Sequence, residues 1–134
     1  MLKVDNMVVH YGAIKALRGI SFEVNEGEII SLIGSNGAGK TTTMHAISNI
    51  IRKTDGTVTF RGENISSMTP DAIVKRGLVQ VPEGRRIFAN LTVRENLEMG
   101  AYIRTDKAGI AADLERVYGL FPRLKERIRQ FAGT

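Results

Sequence analysis

The stretch that most constrains this chain is LIGSNGAGKTTT, residues 32–43, which follows directly on the apolar run EIISLI. A run apolar almost throughout reads as a central strand covered on both faces. The helical pattern begins at Lys40. Between the two, three glycines remove the side chains just where a strand must hand over to a helix. Gly34, Ser35, Asn36, Gly37, Ala38, Gly39, Lys40 and Thr41 match G-x-x-x-x-G-K-[ST] at every fixed position. The physical reason for the pattern is anion binding. Without side chains, successive backbone N–H groups can turn inward as a nest, and the following helix points its positive end at the same place. Lys40 can neutralise β- and γ-phosphates, and the Thr41 hydroxyl can ligate Mg²⁺.

The rest of the chain fits an α/β layout around that loop. LKVDNMVV alternates at Leu2 and Val4 and again from Met7 to Val9, with a slip between. ISFEV alternates cleanly at Ile20, Phe22 and Val24. Asn25, Glu26 and Gly27 make a turn. TVTFRG, residues 57–62, is a short strand, and LVQV, residues 78–81, is a second buried strand stopped by Pro82. Helices are expected over 40–51, with Met44, Ile47 and Ile51 on one face, and from Thr69-Pro70-Asp71 to Gly77. The first has the phosphate loop before it. The second has an N-cap residue, a proline at the first position and an acid in the first turn. Thr92-Val93-Arg94-Glu95 has the capping-box pattern and opens a helix to about Ala101. Ile110, Leu114, Val117, Tyr118 and Phe121 form a helical stripe, interrupted at Pro122 and continued by Leu124, Ile128 and Phe131, which reads as core packing. The division expected is a mainly antiparallel β layer over 1–27, a phosphate-loop core over 28–90 and the start of a helical subdomain over 91–134.

Composition adds limits. Hydrophobic residues make up 43% of the chain, charged residues 25%, and there is no cysteine. That is ordinary for a globular domain and excludes a disulfide framework or a thiolate metal site. His10 and His45 have no metal-ligating partner at a suitable spacing and read as structural. Arg85 and Arg86 read as a solvated basic pair. A net charge of +5 permits an acidic partner but selects none, and no nucleic acid is expected.

GSNGAGKTT, with Tyr11 upstream and the Gln80 segment downstream, resembles the ATP-binding subunit of ABC transporters. VQVPEGRRIFANLTVRENLEMGA, residues 79–101, is most similar to the ATPase subunits of branched-chain amino acid importers, and the likeness runs from Leu2 to Thr134. The resemblance implies a P-loop NTPase core, a parallel sheet flanked by helices, with a small antiparallel β subdomain and the start of a helical one. It implies ATP or ADP with Mg²⁺ as cofactors. Residues 34–42, including Thr42, would hold the phosphates. Tyr11 would stack on adenine, as an aromatic face can stack on any base. Lys40 and Gln80 would act in catalysis, with Thr41 and Gln80 at the metal. It further implies a second ATP-binding subunit and a membrane permease as partners. The location implied is peripheral, on the cytoplasmic face of the membrane, with the region from Arg85 through the helix at Thr92 facing the permease.

The sequence departs from the family by omission. It contains no LSGGQ-like signature, no apolar strand ending in Asp-Glu and no switch histidine after one. It therefore reads as the truncated, N-terminal portion of such a subunit. Two functions stay open: part of a transport ATPase, or a nucleotide-binding fragment without turnover. An unrelated P-loop kinase fits less well, because it would not explain the match after Val79. In the family the Asp-Glu strand lies beside the strand that feeds the phosphate loop. A chain without it should expose the edges of EIISLI and LVQV and self-associate.

Overall fold

The structure, a computed structural model, describes residues 1–35 and 37–134. It divides into two compact units, Met1–Val81 and Pro82–Thr134.

The first unit is built on an antiparallel sheet. β1 (Leu2–Tyr11) and β2 (Ile14–Val24) form a hairpin, and β3 (Asp55–Phe60) and β4 (Glu63–Asn64) form another. Their order in the sheet is β2-β1-β3-β4. The β3–β4 turn has two central residues, Arg61 and Gly62, both with positive φ. That geometry matches the twist of the flanking strands. β1 explains the slip in its own pattern. The register shifts between Val4 and Met7, Asn6 has φ 47°, and its N–H donates to Ser21 Oγ at 2.9 Å. The bulge moves the buried set from Val4 onto Met7 and Val9. Opposite it stands Gly56, where a Cβ would lie 2.4 Å from the Asn6 carbonyl oxygen.

One face of this sheet is covered by α1 (Lys40–Ile47) and α2 (Pro70–Lys75). Val4, Met7, Val9, Leu17, Val58 and Phe60 meet Ala46, Ile47, Ile65 and Ile73 in a single core. α1 is shorter than the expected 40–51. It ends at Ile47 because Asn49 takes a left-handed conformation, φ 57°. Thr69 is the N-cap of α2 by backbone geometry, with Pro70 at the first helical position, but its hydroxyl caps no amide. The helix stops before Gly77, whose φ of 95° is the left-handed exit expected there.

The two segments expected as buried parallel strands are not strands. Residues 28–33 and 78–81 carry no ladder hydrogen bonds, and no parallel pair occurs among the described residues. Ile29 is 96% exposed, Ile33 92% and Val81 90%. The physical reason is that a strand exists only through a neighbour. Apolar side chains give a segment the preference, but its N–H and C=O groups need partners. No described element supplies them to either segment. Ile30 and Leu32 of the first segment and Leu78, Val79 and Gln80 of the second line a cavity of about 200 Å³ shared with Phe22, Met44 and others.

The second unit is helical. α3 (Val93–Gly100) opens with the capping box complete: Thr92 Oγ1 accepts from Glu95 N at 3.2 Å, and Glu95 Oε2 accepts from Thr92 N at 2.8 Å. α4 (Lys107–Leu120) and α5 (Pro122–Glu126) follow, divided at Pro122. The tail returns beside the start of α3, with Val93 N donating to Gln130 O at 2.9 Å and Ala132 N to Leu91 O at 2.9 Å. The stripe read as core is not one. Ile110, Leu114, Val117 and Tyr118 are half-buried, and Phe121 and Phe131 are exposed. The spacing marks a face, and no described element closes over all of it.

Candidate phosphate-binding site

The loop ahead of α1 is positioned from the antiparallel layer. Gly39 is the N-cap of α1 with φ 95°. A Cβ there would come within 2.7 Å of Leu17 Cδ2 and 3.4 Å of the Ala16 carbonyl oxygen. The backbone can sit this close to β2 only as glycine. Gly37 also has positive φ, 83°. Ala38 N donates to Ser35 O at 3.1 Å and closes the loop. Asn36, one of the expected phosphate contacts, lies outside the described residues.

Lys40 is the first residue of α1. Its ammonium donates to Ser35 O at 3.1 Å and to Gly34 O. Both acceptors are neutral, so the charge has no counterion among the described residues. The three threonines divide their work. Thr43 is buried, and its hydroxyl donates to Gly39 O at 2.7 Å, so it belongs to the helix start. Thr41 is exposed and its hydroxyl makes no protein hydrogen bond among the described residues, which leaves it open to a ligand. Thr42 Oγ1 lies 3.4 Å from the Tyr11 hydroxyl. The end of β1 thereby brings Tyr11, half exposed at 50%, against the phosphate-loop helix.

Gln80 is placed differently. It lines the 200 Å³ cavity beside Met44 and Ile47 of α1 and Ser48 just after it, and it makes no hydrogen bond to Lys40 or Thr41. Its Oε1 is buried without a partner. A buried amide oxygen left unsatisfied costs about 1–3 kcal/mol, and a hydrated cation or a water there would remove that cost. Among the described residues no three His, Asp or Glu side chains form a metal cluster. Thr41 Oγ1 is an oxygen donor of the kind Mg²⁺ takes, a cation that keeps much of its own water, whereas Gln80 Oε1 belongs with a cavity that Thr41 does not line, so the two expected metal contacts are not brought together. His10 Nδ1 pairs with Thr54 Oγ1 at 3.0 Å. The seat formed by Ala16 and Leu17 was not legible in the sequence, because nothing in ALRG marks a close backbone approach.

A profile of the ABC transporter family matches residues 17–133. The chain belongs to the ABC transporter family. It is 43% identical over its whole length to the high-affinity branched-chain amino acid transport ATP-binding protein BraG of Pseudomonas aeruginosa. It is 37% identical over 106 residues, 79% of the chain, to the lipopolysaccharide export system ATP-binding protein LptB of Haemophilus influenzae. It superposes on a nucleotide-free ATP-binding cassette from an ABC transporter with a TM-score of 0.82 and 25% identity, over 99% of this chain. The fold class is thus that of ABC ATPase cassettes. The chain spans 57% of BraG, 44% of LptB and 58% of the solved cassette. No helix among the described residues is long and apolar enough to cross a membrane.

Proposed function

We propose that this ABC-family chain binds Mg-ATP or Mg-ADP at residues 34–42, as part of the ATP-hydrolysing subunit of an importer for branched-chain amino acids. The observation that carries the reading is the loop itself. A glycine loop seated on β2 ends in a lysine whose charge has no counterion among the described residues, at the start of a helix, where the dipole favours an anion. In this reading Lys40 leaves the carbonyls of Gly34 and Ser35 for the β- and γ-phosphates. Thr41 holds the metal, Thr42 contacts phosphate and Tyr11 stacks on the base. The metal, when bound, neutralises charge that develops on the phosphates. Gln80 orients water next to it. The solute class follows BraG, the more similar of the two relatives across the whole chain. In the complete complex the subunit pairs with a second ATP-binding subunit and docks on a permease, which holds it at the cytoplasmic face of the membrane.

A second reading is favoured by one observation: Gln80 lines a cavity that neither Lys40 nor Thr41 lines. Phosphoryl transfer needs positioning and charge stabilisation from several parts at once. On this reading the chain binds nucleotide without turning it over.

Calorimetric titration with Mg-ATP tests the site. The chain should bind, and Lys40→Ala should bind about tenfold more weakly or worse, since a hydrogen bond to a charged group is worth about 1.5–3 kcal/mol. Equal affinities would remove the assignment.

A further inference from the structure

A second basic pocket lies at the other end of α1. A cavity of about 570 Å³ opens between the helix exit and the segment after β4, its polar lining Asn49, Arg52, Lys53, Ser66 and Ser67, beside the apolar Ile50 and Met68. No acidic side chain lines it, and neither Arg52 nor Lys53 forms an ion pair among the described residues.

The hydrogen-bond inventory is lopsided. Several acceptors around the pocket are already engaged. Asn49 Nδ2 donates to the carbonyls of Ile65 (3.1 Å), Ser66 (3.2 Å) and Met68 (2.7 Å). Lys53 Nζ donates to Ala46 O at 3.0 Å and to Asn49 Oδ1. The helix-end carbonyls of Met44 and His45 accept from Ser48 and Ile50 N–H groups. Donors are in surplus. An ammonium has three protons and two are used. The Arg52 guanidinium has five N–H groups and the Ser67 hydroxyl one O–H, and neither makes a protein hydrogen bond among the described residues. Burial also pushes the Lys53 ammonium below its ordinary pKa, with no neighbouring anion to oppose the shift. A pocket lined by no acid, with free charged donors and an uncompensated half-buried cation, is matched by an anion with several acceptor oxygens.

We infer that the pocket bounded by Asn49, Arg52, Lys53 and Ser67 binds a phosphate group, separately from the phosphate loop. Arg52 supplies the planar donor pair, Lys53 the point charge and Ser67 a hydroxyl. The group can belong to inorganic phosphate or to a phospholipid head.

The test starts from the Lys40→Ala chain, in which the phosphate loop is disabled, so its result does not depend on the nucleotide-site reading. Inorganic phosphate is titrated at constant ionic strength while backbone amide shifts are followed by NMR. Saturable shifts are expected at Lys53, Ser66 and Ser67. Adding Arg52→Gln should weaken binding about tenfold, the loss of one charge-assisted pair, while Arg52→Lys restores part of it. Arg52 is exposed, so circular dichroism should show the fold unchanged. Vesicles containing phosphatidylglycerol form the second arm. Retention of the Lys40→Ala chain on vesicles, lost with Arg52→Gln, assigns the lipid head, whereas phosphate binding alone assigns a soluble anion. No saturable shift with phosphate, or one that Arg52→Gln leaves unaltered, overturns the site.

Discussion

The antiparallel layer and the two apolar segments beside it are made of similar residues and end in opposite states. Val4, Met7, Val9 and Val58 are all within 1% of complete burial, while Ile29, Ile33 and Val81 stand almost fully in water. Hydrophobicity does not separate them, since EIISLI is more apolar than LKVDNMVV. What separates them is whether a described strand stands beside them to pair. β1 meets β2 across a tight turn and β3 across a helix. Residues 28–33 and 78–81 meet no described strand. Apolar content thus sets which segments want burial, and pairing sets which obtain it.

The largest effect that would break this comparison is in the cores. Met7→Ala should destabilise the first unit by about 2–5 kcal/mol, the usual loss for a fully buried methionine or leucine. Ile33→Ala should change stability by no more than about 0.5 kcal/mol, as for exposed positions. Urea unfolding of both variants decides it. A loss at Ile33 as large as at Met7 would mean that 28–33 is buried after all.

The next effect concerns association. Unpaired backbone with exposed apolar side chains is a template for pairing with another chain. The wild-type chain should scatter light as dimers or larger species at micromolar concentration, and Ile33→Lys with Val81→Lys should shift it toward monomer. A compact wild-type monomer with cooperative unfolding would show that these edges are satisfied within one copy.

A smaller test uses two threonines that look alike in sequence. Thr92 completes a capping box and Thr69 caps no amide. Thr92→Ala should cost about 1 kcal/mol, whereas Thr69→Ala should cost a few tenths at most if its hydroxyl caps nothing. Thermal unfolding of the pair measures the difference, and equal losses would place a working cap at Thr69.

Local chemistry was legible and non-local pairing was not. The capping box at Thr92, the exit at Gly77 and the break at Pro122 each depend on neighbours within one turn, and each occurs where the residues indicate. The phosphate loop was legible because its pattern states its own geometry. The slip in β1 was visible as a broken alternation, and the bulge at Asn6 is its cause. The strands expected at 28–33 and 78–81 failed because periodicity records a preference for burial but says nothing of the partner strand. The stripe from Ile110 to Phe131 failed in the same way, since spacing marks a face but not what covers it. At the site, residue types pointed to Lys40 and Thr41. Nothing in the sequence revealed that Lys40 turns onto its own loop or that Ala16 and Leu17 seat Gly39.

The phosphate loop is seated on the antiparallel layer, through Gly39 against Ala16 and Leu17. The most direct measurement is a backbone NMR titration of the chain with Mg-ADP. The account predicts saturable shifts at Gly37, Gly39, Lys40 and Thr41, at their seat on Ala16 and Leu17, and at Tyr11, with Ile29 and Ile33 still, and loss of all of them in Lys40→Ala. Binding that moves Ile29 and Ile33 but leaves Ala16 and Leu17 in place, or no saturable binding by a chain whose β1–β4 amides are folded, would contradict it.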